Sequence, residues 1–191
     1  MLAEYQMTLP PQTIETAEPA GRKLLEGAKA QAGFIPNMYA RMVHSPGLLK
    51  TYLDGYAAFR NDSGFTPPEQ EVVFLVISHE NGCEYCVSAH SALADMKSGL
   101  APEVTDAIRN GTAIPDPRLA ALAEFTRLMV AKRGLPAPSD VEPFLAAGFE
   151  ERQILEVVLA IAVKTLSNYA NHLFHTPLDE MFEGRRWVDT R

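Results

Sequence analysis

Apolar residues recur along most of this chain at the three-to-four spacing of a helix, and glycine and proline interrupt them. Residues 1–12, with Pro10-Pro11 and little periodicity, read as an extended arm. A helix is expected from Thr13 to about Ala32, with Thr13 as its cap, Glu15 and Glu18 in its first half, and Leu24, Leu25 and Ala28 as its stripe. Gly33 ends it. Ile35-Pro36-Asn37 turns into a short helix through Met42-Val43, which Ser45-Pro46 stops. Residues 47–60 give another amphipathic helix, with Leu48, Leu49, Tyr52, Tyr56 and Phe59 on one side.

Thr66 opens the central helix with a capping box: its hydroxyl accepts an amide three residues on, Pro67 fits the first helical position, and Glu69 reaches back. Val72, Val73, Leu75, Val76 and Ile77 then form a nearly continuous apolar run. Its β-branched content would also suit a buried strand; the capping box and the length favour a buried helix. Asn81-Gly82 breaks the run, and a second helix follows from about Cys83 to Ser98, closed by Gly99. Further helices start at Pro102 (ending at Gly111), at Asp116-Pro117 and at Ser139-x-x-Glu142 (stopped by Gly148). The one at Asp116 shows Leu119, Leu122, Phe125, Leu128 and Met129 on a face and Lys132-Arg133 near its end. The last runs from about Glu150 to Leu173. The sum is an all-α single domain over 13–191, preceded by the arm at 1–12.

The last helix echoes the central one. Aligning Glu71-Val72-Val73 with Glu156-Val157-Val158 places Cys83 on Asn168, Cys86 on Asn171 and His90 on His175. Gly-Phe precedes both copies, at 64–65 and at 148–149. An internal helix-pair duplication explains the echo, with a chance match of common residues as the alternative; only the first copy carries thiols.

Length and charge narrow the function. At 191 residues the chain can build one sizeable core. A net charge of −7 without a compensating basic face argues against non-specific nucleic-acid or anionic-membrane binding. No apolar run approaches the ~20 residues of a membrane span, and the residues after Met1 lack a secretory pattern. A reducing cytoplasm is the expected setting for the only two cysteines.

Those two, Cys83 and Cys86, stand as Cys-x-x-Cys with His90 four residues further on. At a helix start, unpaired amides and the dipole stabilise a thiolate, lowering the pKa from about 8.5. Cys86 and His90 share a helix face, so an imidazolium one turn away would favour the anion and the ring could exchange the thiol proton. Three other readings compete: two small residues packing at a helix start; a zinc site with His79 or Glu80 as fourth ligand; and, for Glu71, an ordinary first-turn acid. Along a continuous helix Glu71 would not face Cys83, so the break at Asn81-Gly82 must fold the second helix back for the two to meet. Tyr85 either offers its hydroxyl to the site or covers it. Asn168, Asn171, His172 and His175 read as hydrogen-bonding residues near a helix end. No nucleotide-binding loop is visible.

The pattern Glu71, Cys83, Cys86, His90 (E-x11-C-x2-C-x3-H) resembles the alkylhydroperoxidase D (AhpD)-like branch of the carboxymuconolactone decarboxylase superfamily. The flanking Thr66-Pro67-Pro68-Glu69-Gln70-Glu71, Ser88-Ala89-His90 and Asn168-Tyr169-Ala170-Asn171-His172 also match, so the likeness spans about Gly33 to Glu180. The resemblance implies an AhpD-like helical fold and a thiol-dependent peroxidase or disulfide oxidoreductase with no cofactor beyond its redox-active cysteine pair. It implies Cys86 as the attacking thiol, activated through His90 and Glu71, and Cys83 as the resolving one. Spacing alone would also allow Cys83 to attack, since it lies nearer the helix start. The implied partners are a hydroperoxide, an external dithiol or thioredoxin- or lipoyl-type reductant, and further copies of the chain in trimers or their multiples. Tyr85 departs from the family, whose better-known members carry histidine there. The alternatives are a decarboxylase-like enzyme, against which the cysteines count, and a non-enzymatic redox-responsive oligomer.

Overall fold

The computed structural model describes residues 2–191, and among these the regular structure is helical, with no strand. Nine α-helices follow in order: α1 (Pro19–Ala32), α2 (Asn37–Met42), α3 (Pro46–Asp62), α4 (Pro67–Glu80), α5 (Glu84–Leu93), α6 (Pro102–Asn110), α7 (Pro117–Ala131), α8 (Pro138–Ala146) and α9 (Glu151–Phe174). A π-helical turn, Ala94–Ser98, continues α5, and a 3₁₀ turn, Glu180–Arg185, follows α9.

The apolar run at 72–77 is a helix, and it is the hub. Every residue of α4 from Glu69 to Ser78 is buried, because α5, α6, α7 and α9 all pack on it. A helix covered on every side needs apolar residues all round, which is why the run shows no stripe. Its start is the expected one: the Glu69 carboxylate accepts the Thr66 amide at 2.8 Å. The Asp116 side chain likewise accepts the Leu119 amide at 2.8 Å and opens α7.

Two expected starts move. The first helix begins at Pro19, not Thr13. Proline favours the first helical position and forces the residue before it out of helical geometry, and Glu18 is indeed extended (ψ 154°). Thr13 instead closes a local turn, its hydroxyl accepting the amides of Glu15 and Thr16. Similarly, Pro138 heads α8, so Ala137 is the cap residue and Asp140, not Glu142, reaches back to its amide at 2.7 Å. Residues 2–12 hold no helix and run across the end of α9, where the Met7 amide bonds the Leu173 carbonyl.

Residues 176–191 return over α5. The Trp187 amide donates to Ser88 Oγ, Arg109 bonds the Arg185 and Arg186 carbonyls, and Arg191 bonds the His79 carbonyl. Among the described residues no helix is long and apolar enough to cross a membrane.

Candidate active site

The break between α4 and α5 sets the geometry. Gly82 takes φ 66°, in the left-handed region that only glycine enters without strain. The Cys83 amide closes the turn on the Ser78 carbonyl at 2.9 Å, and Asn81 Nδ2 ties it to Asn168 Oδ1 of α9 at 2.8 Å. Cys83 is therefore the N-cap of α5 and Cys86 lies in its first turn, as the spacing predicts. Both are free thiols and almost fully buried, 1% and 2% exposed.

Folding α5 back on α4 brings Glu71 to His90. Nδ1–H of His90 donates to Glu71 Oε2 at 2.8 Å, while Arg60 Nη2 donates to Oε1 at 2.5 Å and to the Tyr56 hydroxyl at 2.8 Å. Glu71 is thus no first-turn surface acid: it is buried, with two donors. Burial alone would raise its carboxyl pKa; His90 and Arg60 outweigh that and hold it below the usual range.

The charge on His90 differs from the sequence expectation. Burial pushes the imidazole down to about 4, repulsion from Lys164 adds to this, and the pull of Glu71 does not offset them. At neutral pH the ring is uncharged, so it gives Glu71 only an N–H dipole, and the Arg60 guanidinium supplies the countercharge. An imidazolium is not what stabilises a thiolate here.

Lys164 takes that role. It sits on α9 after the apolar stretch Ile161-Ala162-Val163, is 1% exposed, and places its Nζ 5.5 Å from the centre of the Phe74 ring. Burial would raise the Cys86 pKa; the Cys83 thiol, the Lys164 charge and the amides of Asn171 and Asn168 together bring it well down. Cys83 goes the other way, raised by burial and then by its bond to Cys86 and the charge there. The two shifts run in opposite directions, Cys86 favouring the thiolate and Cys83 the thiol.

Asn171 completes the setting. Its Nδ2 lies 3.3 Å from Cys86 Sγ, 3.9 Å from Cys83 Sγ and 3.2 Å from Met38 Sδ. Sequence position alone suggests a helix-end residue, yet the internal echo aligns it with Cys86, and that alignment is the available signal. For Lys164 the signal is a lone charge beside an apolar run. Arg60 has none beyond its place at the end of an amphipathic helix.

Tyr85 covers the site. Its hydroxyl donates to Asp179, whose other oxygen accepts the Asn37 amide at 3.0 Å. Burial, and then the charge of Asp179, push the phenol far above its ordinary pKa. His79 and Glu80 do not join the cysteines: among the described residues no group of three His, Cys, Asp or Glu side chains is placed to hold a metal ion.

Two cavities meet the thiol pair. One, about 170 Å³, is lined by Cys86, His90 and Lys164 together with Tyr39, Tyr52 and Phe182. The other, about 290 Å³, reaches Cys83. A larger hollow of about 360 Å³ between α4, α6 and α7 touches neither thiol.

Residues 46–128 match the carboxymuconolactone decarboxylase family. Among solved structures, the fold is similar to an AhpD-core, uncharacterized peroxidase-related protein from Ralstonia eutropha JMP134, with TM-score 0.79, 23% identity, and coverage of 94% of this chain and 96% of that one. It is also similar to a peroxidase-related protein from Silicibacter sp. TM1040, with TM-score 0.75, 21% identity, and coverage of 96% and 97%. The debrominase Bmp8, a cysteine-to-alanine form of which is known in complex with 2,3,4-tribromopyrrole, has TM-score 0.75 at 14% identity, covering 94% and 96%. No curated protein matches the sequence. The family match runs through both cysteines, and the whole fold is similar to that of an AhpD-core protein.

Proposed function

We propose that this protein is a cysteine-based oxidoreductase that reduces hydroperoxides through Cys86 and Cys83. The observation that carries the reading is the split of the pair into an activated and a resting sulfur, with a buried lysine beside the former. The thiolate of Cys86 attacks the terminal peroxide oxygen, the O–O bond breaks, and an alkoxide leaves. His90, oriented by Glu71 through Nδ1–H, uses its unprotonated nitrogen to take the peroxide proton and pass it to the departing alkoxide. The Cys86 sulfenate gains a proton from solvent to become the sulfenic acid. The Cys83 thiol then displaces water from the Cys86 sulfenic acid and forms a disulfide. An external dithiol returns two electrons. Cytoplasmic residence suits such a pair, since a reducing compartment restores the thiols.

A second reading, reductive debromination of a small aromatic, draws on the aromatic walls of the Cys86 cavity and on the fold shared with a debrominase. There one C–Br bond becomes C–H, bromide leaves, and the same two thiols are oxidised to the disulfide.

Steady-state consumption of an organic hydroperoxide with dithiothreitol tests the first reading. Cys86→Ser should abolish turnover and Cys83→Ser should stop it after the first equivalent. Turnover that survives Cys86→Ser would overturn the assignment. Bromide release from a bromopyrrole without peroxide turnover would favour the second reading, and inertness to both would point to a redox-responsive, non-catalytic protein.

A further inference from the structure

The two sulfurs open on different cavities. Cys86 lines the aromatic one and Cys83 lines a separate, polar one between α5, the end of α9 and the returning segment; neither thiol lines both. Tyr85 lines both and is the wall between them, pinned by Asp179. Three residues that line the polar cavity each carry a buried polar atom with no hydrogen-bond partner: Asn171 Oδ1, His172 Nε2 and Thr176 Oγ1. Asn171 is itself only 2% exposed. Buried groups of this kind are ordinarily satisfied, so three among the lining residues of one cavity point to a polar occupant.

We propose that the cavity at Cys83 is the entry site for the reductant, a small polar thiol or dithiol that attacks Cys83 and never meets the peroxide cavity. This rests on the disulfide chemistry proposed above. Three independent features converge on it. At about 290 Å³ the space is roughly twice a cavity that accommodates benzene, which suits a short hydroxylated or amide-bearing thiol. Cys83 is 1% exposed, so a cysteine on the surface of a folded protein cannot reach it and a slender molecule can. The leaving-group rule gives the same polarity: attack on a disulfide goes fastest when the expelled sulfur is the more stable thiolate. That sulfur is Cys86, stabilised by Lys164 and Asn171. The reductant's thiolate bonds Cys83 Sγ, the S–S bond breaks, and its electron pair leaves on Cys86. The reductant's second thiol, or a second molecule of a monothiol, then displaces Cys83, which regains its proton, and the reductant departs as its disulfide. Two electrons pass from reductant to protein. His172 and Thr176 hold the incoming molecule, and Asn171 accepts a hydrogen bond from it.

The test starts from the full chain oxidised with diamide, so that it does not depend on any peroxide reaction. A brief reaction with 2-mercaptoethanol, acid quench and alkylation of the freed thiol traps the mixed disulfide. Chymotryptic cleavage after Tyr85 separates the two cysteines for mass spectrometry. The adduct should sit on Cys83 over Cys86 by at least about tenfold. An adduct mainly on Cys86 overturns the proposal while leaving disulfide chemistry intact; failure of diamide to form any intramolecular disulfide removes both. Thr176→Trp, which fills the cavity, should slow reduction by dithiothreitol at least about tenfold, and Thr176→Ser should not. The trapping needs no variant, so it decides even if Thr176→Trp fails to fold. A thioredoxin-like protein that reduces the wild type faster than dithiothreitol, and is indifferent to Thr176→Trp, would also overturn the entry site.

Discussion

Lys164 is the residue whose removal separates this site from a histidine-driven one. With a full charge beside Cys86 and a neutral His90, thiolate stability should follow the lysine. Alkylation rate against pH in the wild type should reach its plateau below the free-cysteine value of about 8.5, because a depressed pKa leaves the anion present above it and lost as pH falls through it. Lys164→Met should move that profile upward, and His90→Ala should leave it where it was while lowering peroxide turnover. A profile that shifts with His90 and ignores Lys164 would restore the imidazolium. The two glutamates that the internal echo pairs should also part company. Glu71→Gln leaves Arg60 without its buried countercharge, a loss of about 3–5 kcal/mol by urea unfolding. Glu156 pairs with the exposed Arg152 at 3.1 Å, so Glu156→Gln should cost no more than about 1 kcal/mol. Equal losses would mean that the two carboxylates play the same structural part.

Among the elements, the turn between α4 and α5 decides whether four scattered residues become a site. A left-handed backbone costs a non-glycine residue about 1–2 kcal/mol, so Gly82→Ala should lower stability by that amount and slow alkylation of Cys86 as α5 shifts. Unchanged thiol reactivity in that variant would show that the turn only joins the helices. This element was legible: Asn81-Gly82, Cys83 and Cys86 announce a break and a helix start from local chemistry alone. The box at Thr66 and the cap at Asp116 were legible for the same reason. Where two start signals competed, proline won: Thr13 lost to Pro19, and Ser139 to Pro138. The state of Lys164 was beyond local reading. A lysine in a long helix ordinarily faces water, and only the packing of α4 and α5 against α9 decides that this one does not.

For the molecule as a whole, α9 carries the unspent apolar surface. Leu155 is 68% exposed, Val158 46%, Tyr169 55% and Leu173 39%, all along one helix. We propose that a second copy of the chain covers part of it, giving a trimer or a multiple. Light scattering at micromolar concentration should then show a particle well above 21.0 kDa, and a particle of that mass would exclude the assembly. The placement of Lys164 and Asn171 on the same helix has a consequence in time as well as space. A ribosome adds about 5–20 residues per second, and Lys164 is made 78 residues after Cys86. For several seconds of each synthesis the two thiols therefore exist without the cation and the amide that activate one of them. During that interval they are ordinary cysteines, slow towards oxidants, and the nascent chain is spared its own chemistry until its last long helix docks.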